Sequence, residues 1–242
     1  MASEALRARI AAAGRVCVLT GAGMSAESGV PTFRDALSGH WSRFDPVQLA
    51  TEDGFRADPQ RVWDWYAERR EGIRRAKPNA GHAALAAFAA RRPGVLTLVA
   101  QNVDDLHQRA GNVDTVRLHG DILEDRWLDP CQRGCEPSSA QPGRPPRCAR
   151  CDNRLRPAVV WFSELMPAQS LQRAETAADD CALMLVVGTS GAVWPAAGLA
   201  ARARRAGAHV VIVNPHASEI DDEASELLRG TAADLLPLLL AP

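Results

Sequence analysis

Short apolar runs rich in β-branched residues recur along the chain at 15–19 (RVCVL), 95–100 (VLTLVA), 115–118 (TVRL), 157–162 (PAVVWF), 182–187 (ALMLVV) and 209–213 (HVVIV). Few polar residues alternate within them, as in strands buried on both faces of a parallel sheet. Helical patterns fill the intervals at 80–91, at 103–110 with Gly111 as a stop, and at 195–206 with Gly207 as a stop. Parallel neighbours need long crossovers, and helices are the usual ones. The rhythm therefore predicts an α/β fold with a doubly wound parallel sheet.

Two stretches break that rhythm. Residues 33–78 show no strand pattern and read as loop plus helices. Residues 124–156 are rich in Pro, Arg, Gly, Ser and Cys and cannot form an apolar core unaided. Both are expected to be insertions forming a smaller lobe, helical over 33–78 and metal-binding over 124–156. The large domain would then comprise 1–32, 79–123 and 157–242, beginning with a short helix that ends at Gly14. A chain of 242 residues has room for this arrangement.

Charge and hydropathy exclude other classes. A net charge of −1 offers no field for polyanions, so no nucleic-acid partner is expected. No run approaches the roughly 20 apolar residues of a membrane span, and the first 14 residues lack the apolar segment of a secretory signal. The expectation is a cytoplasmic, monomeric protein with no membrane partner.

Several constellations carry chemistry. In CVLTGAGMSAESGVPTFRD (17–35), Gly21, Gly23 and Ala26 follow a strand at the G-x-G-x-x-A spacing, which lets backbone amides approach a pyrophosphate. A plain glycine turn is the alternative. No carboxylate closes the second strand as a dehydrogenase would require, because VLTLVA ends in Gln101-Asn102. In AQNVDDLHQRAG (100–111), Gln101, Asn102 and Asp104 fall at the carboxyl edge of the sheet, where open α/β folds bind ligands; Asp104 can equally cap the next helix. In RLHGD (117–121), His119 follows a strand and suits a general base, since its ordinary pKa lies near neutrality. Helix or surface roles suffice for His40, His82, His107, His209 and His216. VVGTSGAVWPAAG (186–198) and VNPHAS (213–218) place small residues after strands; GTSG lacks the full G-x-S-x-G pattern of a hydrolase elbow.

Four of the six cysteines, Cys131, Cys135, Cys148 and Cys151, form C-x3-C-x12-C-x2-C. Two close thiolate pairs joined by a short loop match a tetrahedral zinc site, which would supply the folding energy that this polar segment lacks. The first pair is one residue wider than usual, and a redox or disulfide role is the alternative. Cys17 and Cys181 lie in or beside apolar runs. A last feature is VWDWYAERR (62–70). At about 100° per residue, Val62, Tyr66, Arg69 and Ile73 fall within roughly 60° of one another on a helix. An arginine amid an apolar stripe either snorkels to solvent or awaits an anion.

Taken in order, GAGMSAESGVPTFRD, QNVDDLHQRAG, LHGD, the four cysteines, RPAVVWFSE, GTSGAVWPAAG and VNP resemble the sirtuin family of NAD-dependent protein lysine deacylases, over about residues 10–240. The resemblance implies a Rossmann-like large domain, a small lobe of helices plus a zinc module, and a cleft between them that binds NAD as co-substrate and an acyl-lysine protein, with one structural Zn2+. It assigns Gly21, Ala22, Gly23, Ala26, Phe33, Arg34 and Trp41 to the cofactor, with Gln101, Asn102 and Asp104 at its ribose and nicotinamide. Gly188, Thr189, Ser190, Asn214 and Ala232 fall to its adenosine half. His119 matches the catalytic base, and Asn102 joins it in the catalytic pair. Val159, Trp161 and Phe162 match the segment that pairs with the substrate backbone and lines the acyl-lysine tunnel. The acyl group would pass to ADP-ribose with release of nicotinamide.

WYAERR is similar to the Y-x-x-R signature of class III members, which prefer malonyl, succinyl or glutaryl lysine. Tyr66 and Arg69 would then grip the distal carboxylate. General deacetylation and mono-ADP-ribosyl transfer remain the alternatives. Two positions depart from the family: Ser163 stands where glycine is common and is expected to narrow the peptide groove, and NPHAS lacks the acidic residue usual after the asparagine.

Overall fold

The computed structural model describes residues 4–32, 45–131 and 133–241. Phe33, Arg34 and Trp41 lie outside the described residues. In chain order the strands are β1 (Val16–Thr20), β2 (Leu96–Ala100), β3 (Val116–Arg117), β4 (Gly120–Trp127), β5 (Ala140–Gln141), β6 (Arg147–Cys148), β7 (Leu155–Val159), β8 (Leu183–Val187), β9 (His209–Val213) and β10 (Glu226–Leu228). The helices are α1 (Glu4–Ala12), α2 (Gly23–Ala26), α3 (Pro46–Leu49), α4 (Glu52–Ala57), α5 (Pro59–Arg75), α6 (Ala80–Arg91), α7 (Leu106–Arg109), α8 (Ala168–Asp180), α9 (Gly198–Arg205) and α10 (Ala232–Leu239).

Six strands form one parallel sheet in the order β3-β2-β1-β8-β9-β10. Counted among themselves, these strands follow the 3-2-1-4-5-6 order of doubly wound dinucleotide-binding folds. Every residue of β1 and β8 is buried, which explains why their sequences hardly alternate. Alternation survives in the direction of the side chains. Cys17, Leu19, Met184 and Val186 face a core completed by α8 and α9. Val16, Val18, Leu185 and Val187 face a second core closed by α1, α6 and α10.

Two expected elements differ. The run at 157–162 contributes strand residues only to 159, within β7, and β7 pairs antiparallel with β4 outside the main sheet. The helix expected over 103–110 forms only at 106–109, because the Asp104 carboxylate accepts the Leu106 N–H at 3.0 Å and holds 103–105 as a turn. Strand β10 corresponds to none of the apolar runs in the sequence.

A third core gathers Phe55, Val62, Trp65, Tyr66 and Ile73 from α4 and α5 against Ile122, Val159 and Trp161. Helix α5 begins cleanly: the Asp58 side chain accepts the Arg61 N–H and Pro59 opens the first turn. Arg70, almost fully buried, binds it to β4 through the carbonyl of Glu124 (3.1 Å) and the carboxylate of Asp125 (2.5 Å). Among the described residues no helix is long and apolar enough to cross a membrane.

Candidate active site

Strands β1, β2, β8 and β9 all end along one edge of the sheet, and the residues after them form a bonded set. The Gly21 and Gly23 amides donate to the carbonyls of Val187 (2.9 Å) and Gly188 (2.8 Å). Gly188 has φ +62, and a Cβ there would sit 2.5 Å from the Met24 nitrogen. The glycines thus let two loops touch through their main chains. Thr189 is the next hub. Its hydroxyl accepts from Gln101 Nε2 at 3.2 Å, and its carbonyl accepts from Asn214 Nδ2 at 3.0 Å. Ser190 accepts from the Ala192 amide, and Ala232 opens α10 with its carbonyl 2.7 Å from where a Gly81 Cβ would lie. Ala22 and Ala26 are exposed on this edge.

Ser25 carries a role that sequence reasoning missed. It is buried inside α2, its hydroxyl accepts from Asn102 Nδ2 at 3.0 Å, and it also bonds Asp104. Burial raises the Asp104 carboxyl, while the Leu106 amide and the Ser25 hydroxyl pull it the other way. Nothing in a lone serine within a glycine loop signals this; only the folded contact does. Behind the edge, His107 Nε2 lies 3.0 Å from the Thr20 hydroxyl, and the His82 ring packs 4.8 Å from it. Burial lowers both, to about 3 and about 4, so both stay neutral; His82 also completes the capping box of α6.

His119 stands between β3 and β4, where Gly120 (φ +80) turns the chain; a Cβ at 120 would meet the Ala158 carbonyl of β7. Its Nδ1 lies 2.9 Å from the Gln101 carbonyl. A carbonyl only accepts, so Nδ1 carries the proton and Nε2 keeps its lone pair. Burial lowers the His119 pKa and outweighs this hydrogen bond. The result is a neutral imidazole oriented as a base. The Val160 amide, just past β7, donates to the His119 carbonyl at 2.8 Å and ties the segment after Val159 to it.

The third face is built from side chains. Tyr66 is buried, and its hydroxyl accepts the Trp161 indole N–H at 3.0 Å. Arg69 stacks over the Trp65 ring at 4.7 Å and lies 5.9 Å from the Tyr66 ring centre. It is closely surrounded by protein yet partly open to solvent. Desolvation lowers its pKa, opposed by the charges of Tyr66 and Asp104, which places Arg69 within electrostatic reach of the Asn102–Asp104 edge. Trp161 is buried, whereas Phe162 is exposed and donates its backbone N–H to the Ala50 carbonyl at 2.9 Å.

Residues 21–195 match the family model described as Sir2 family. A curated relative from Ralstonia nicotianae, an NAD-dependent protein deacylase, is 54% identical over 97% of this chain and 94% of its own. The chain belongs to the Sir2 family. Among solved structures, a Sir2 homolog–NAD complex is 40% identical with a TM-score of 0.89, covering 99% of this chain and 93% of the other. Sir2 bound to an acetylated peptide is 27% identical with a TM-score of 0.85, covering 99% and 98%.

Two groups that a sirtuin implies can be tested against these residues. NAD fits the edge just described: backbone meets backbone without side chains at Gly21, Gly23 and Gly188, and amide, hydroxyl and carboxyl groups cluster beside them. Zinc fits the cysteine module. The sulfurs of Cys131, Cys135 and Cys151 lie within 4.8 Å of one another, and Cys148 bonds toward Cys135 and Cys151. Cys131 and Cys151 are 3.8 Å apart. Zn–S bonds of about 2.3 Å in a tetrahedron require about 3.8 Å between sulfurs. The amides of Cys135 and Arg150 point at the sulfurs of Cys131 and Cys148, each at 3.4 Å, and so support thiolates. Apart from these cysteines the module buries little, so a metal is the natural source of its order.

Proposed function

We propose that this sirtuin is an NAD-dependent protein lysine deacylase that prefers acidic acyl groups, succinyl and malonyl foremost and glutaryl as a longer form of the same chemistry. The observation that carries the reading is the Tyr66–Arg69 face. A guanidinium disfavoured by its own desolvation lies beside a phenol, and its favourable charges come from Tyr66 and Asp104. Burial pushes both of those groups toward their neutral forms, so a substrate carboxylate is the stronger counter-charge. Arg69 would take that carboxylate through parallel N–H donors while the Tyr66 O–H supplies another.

The other residues take the roles that the family resemblance implies, and the bonds given above support several of them. Gly21, Ala22, Gly23, Ala26, Gly188, Thr189, Ser190, Asn214 and Ala232 would hold the dinucleotide, with Phe33, Arg34 and Trp41 joining from the segment after α2. Gln101, Asn102 and Asp104, braced by Ser25, would seat the ribose and nicotinamide. When bound, NAD supplies the ribose that receives the acyl group as nicotinamide leaves. His119 Nε2 would accept a ribose hydroxyl proton, and Val159, Trp161 and Phe162 would form the substrate-side segment. Cys131, Cys135, Cys148 and Cys151 would hold the structural zinc, and the helices of 33–78 with the 124–156 module would form the smaller lobe.

The direct test compares kcat/KM for matched acetyl-, malonyl- and succinyl-lysine peptides with NAD. A charge-assisted contact of about 1.5–3 kcal/mol predicts an advantage of roughly 10–150-fold for an acidic peptide over the acetyl peptide. Equal or better use of the acetyl peptide rejects the preference.

A further inference from the structure

The third face contains a linked set of groups whose purpose the deacylation chemistry does not explain. Arg156, on β7, is buried to 1% exposure. Its guanidinium lies 3.2 Å from the centre of the Trp161 ring and donates to the carbonyls of Pro157 (3.1 Å) and Val159 (2.6 Å). Its counter-ion is Glu164, which also accepts the Trp161 backbone N–H at 2.8 Å and an N–H of Arg126 at 3.0 Å. The Phe55 ring packs against the indole at 5.4 Å. The indole is therefore held in plane by a stacked cation and an aromatic neighbour, and its backbone is held by the anion that balances the cation.

This clamp ends on one hydrogen bond. An indole N–H can only donate, so in the 3.0 Å contact with Trp161 the Tyr66 oxygen must be the acceptor. The Tyr66 proton is then directed away from Trp161, and no described residue accepts it. Tyr66 and Arg69 share one face of α5, and the Arg69 charge acts on the phenol.

We propose that Trp161, clamped by the Arg156–Glu164 ion pair, is a positioning residue for acyl specificity: it occupies the acceptor side of the Tyr66 hydroxyl and leaves the hydroxyl proton to meet an acyl carboxylate held by Arg69. The proposal rests on the acidic-acyl reading above and adds a residue that acts through Tyr66. A tyrosine whose rotor is free divides its proton among several directions and recognises a carboxylate less well.

The test uses Trp161→Phe, which keeps an aromatic ring for Arg156 and Phe55 but removes the N–H. It is measured with Tyr66→Phe, the double variant and wild type, each on succinyl- and acetyl-lysine peptides. Trp161→Phe is expected to lower the succinyl-to-acetyl ratio of kcat/KM about three- to tenfold, mainly through KM for the succinyl peptide. In the Tyr66→Phe background the same substitution should leave that ratio where Tyr66→Phe alone puts it, because no hydroxyl remains to be oriented. Independent, multiplying losses in the double variant overturn the proposal, as does an unchanged ratio in Trp161→Phe. A wild-type enzyme without acidic preference overturns the underlying reading and this proposal with it; a wild-type preference that Trp161→Phe leaves intact overturns this proposal alone.

Discussion

Around Gly21, Gly23 and Gly188 the site is held by main chain: amide donates to carbonyl, and loops touch where a Cβ would collide. Around Tyr66 and Arg69 it is held by side chains, and the decisive bond joins residues 95 positions apart. The difference matches what each region must recognise. The dinucleotide side needs a fixed shape, which backbone supplies with little freedom. On the proposed reading the acyl side distinguishes neutral from charged groups, a task suited to desolvated side chains. The first region should therefore respond to substitution mainly in stability and in all activities together, and the second mainly in substrate preference.

The largest effect belongs to His119, which bridges the two regions. His119→Ala should reduce kcat/KM on every acyl peptide by about 10²–10⁴-fold, the usual contribution of a positioned base. In wild type, burial lowers the His119 pKa below the ordinary value near 6.5, so the ring is already neutral at pH 7. The kcat/KM profile should stay flat through pH 7 and fall only as pH drops through a value below 6.5; an activity-limiting ionisation above 7 would contradict this. Next comes Gly188→Ala. It forces an L side chain into φ +62 and places a Cβ 2.5 Å from the Met24 nitrogen. A loss of about 2–4 kcal/mol in urea unfolding is expected, with acetyl and succinyl activities falling together. A change in their ratio would blur the distinction between the two regions.

The smallest effect concerns Ser163, which sits at φ +70 on the surface after the substrate segment. The family's glycine fits that conformation and serine does not. Ser163→Gly should raise stability by about 1 kcal/mol, read as a shift of the denaturant midpoint. The departure from the family pattern thus shows itself as backbone strain. A destabilised Ser163→Gly protein would mean that the serine side chain makes a contribution larger than the strain it brings.

How much of this was legible in the sequence follows the same division. The sheet could be read because β1, β8 and β9 are buried on both faces and therefore show as unbroken apolar runs. The glycine loop, the Gln101–Asp104 edge, His119 and the cysteine spacing could be read because each is a short local pattern. Other features could not. The run at 157–162 looked like a sheet strand, but its partner is β4, and pairing is not encoded in one strand's composition. Strand β10 has three residues, ELL, and exists because β9 offers an edge. Asp104 accepts the Leu106 N–H ahead of α7, and its bond to Ser25, 79 positions away, leaves no trace in the local sequence. The Arg69 stripe was visible from helical periodicity; the indole that orders its neighbour Tyr66 was visible only in space.

The most direct test of the central claim is the charge at residue 69. With Arg69→Met, which keeps an unbranched side chain on the Trp65 ring and removes the guanidinium, the succinyl-to-acetyl ratio of kcat/KM should fall by about 10–150-fold, equivalent to about 1.5–3 kcal/mol of lost carboxylate binding. An unchanged ratio would show that the acidic end of the acyl group is recognised elsewhere or not at all.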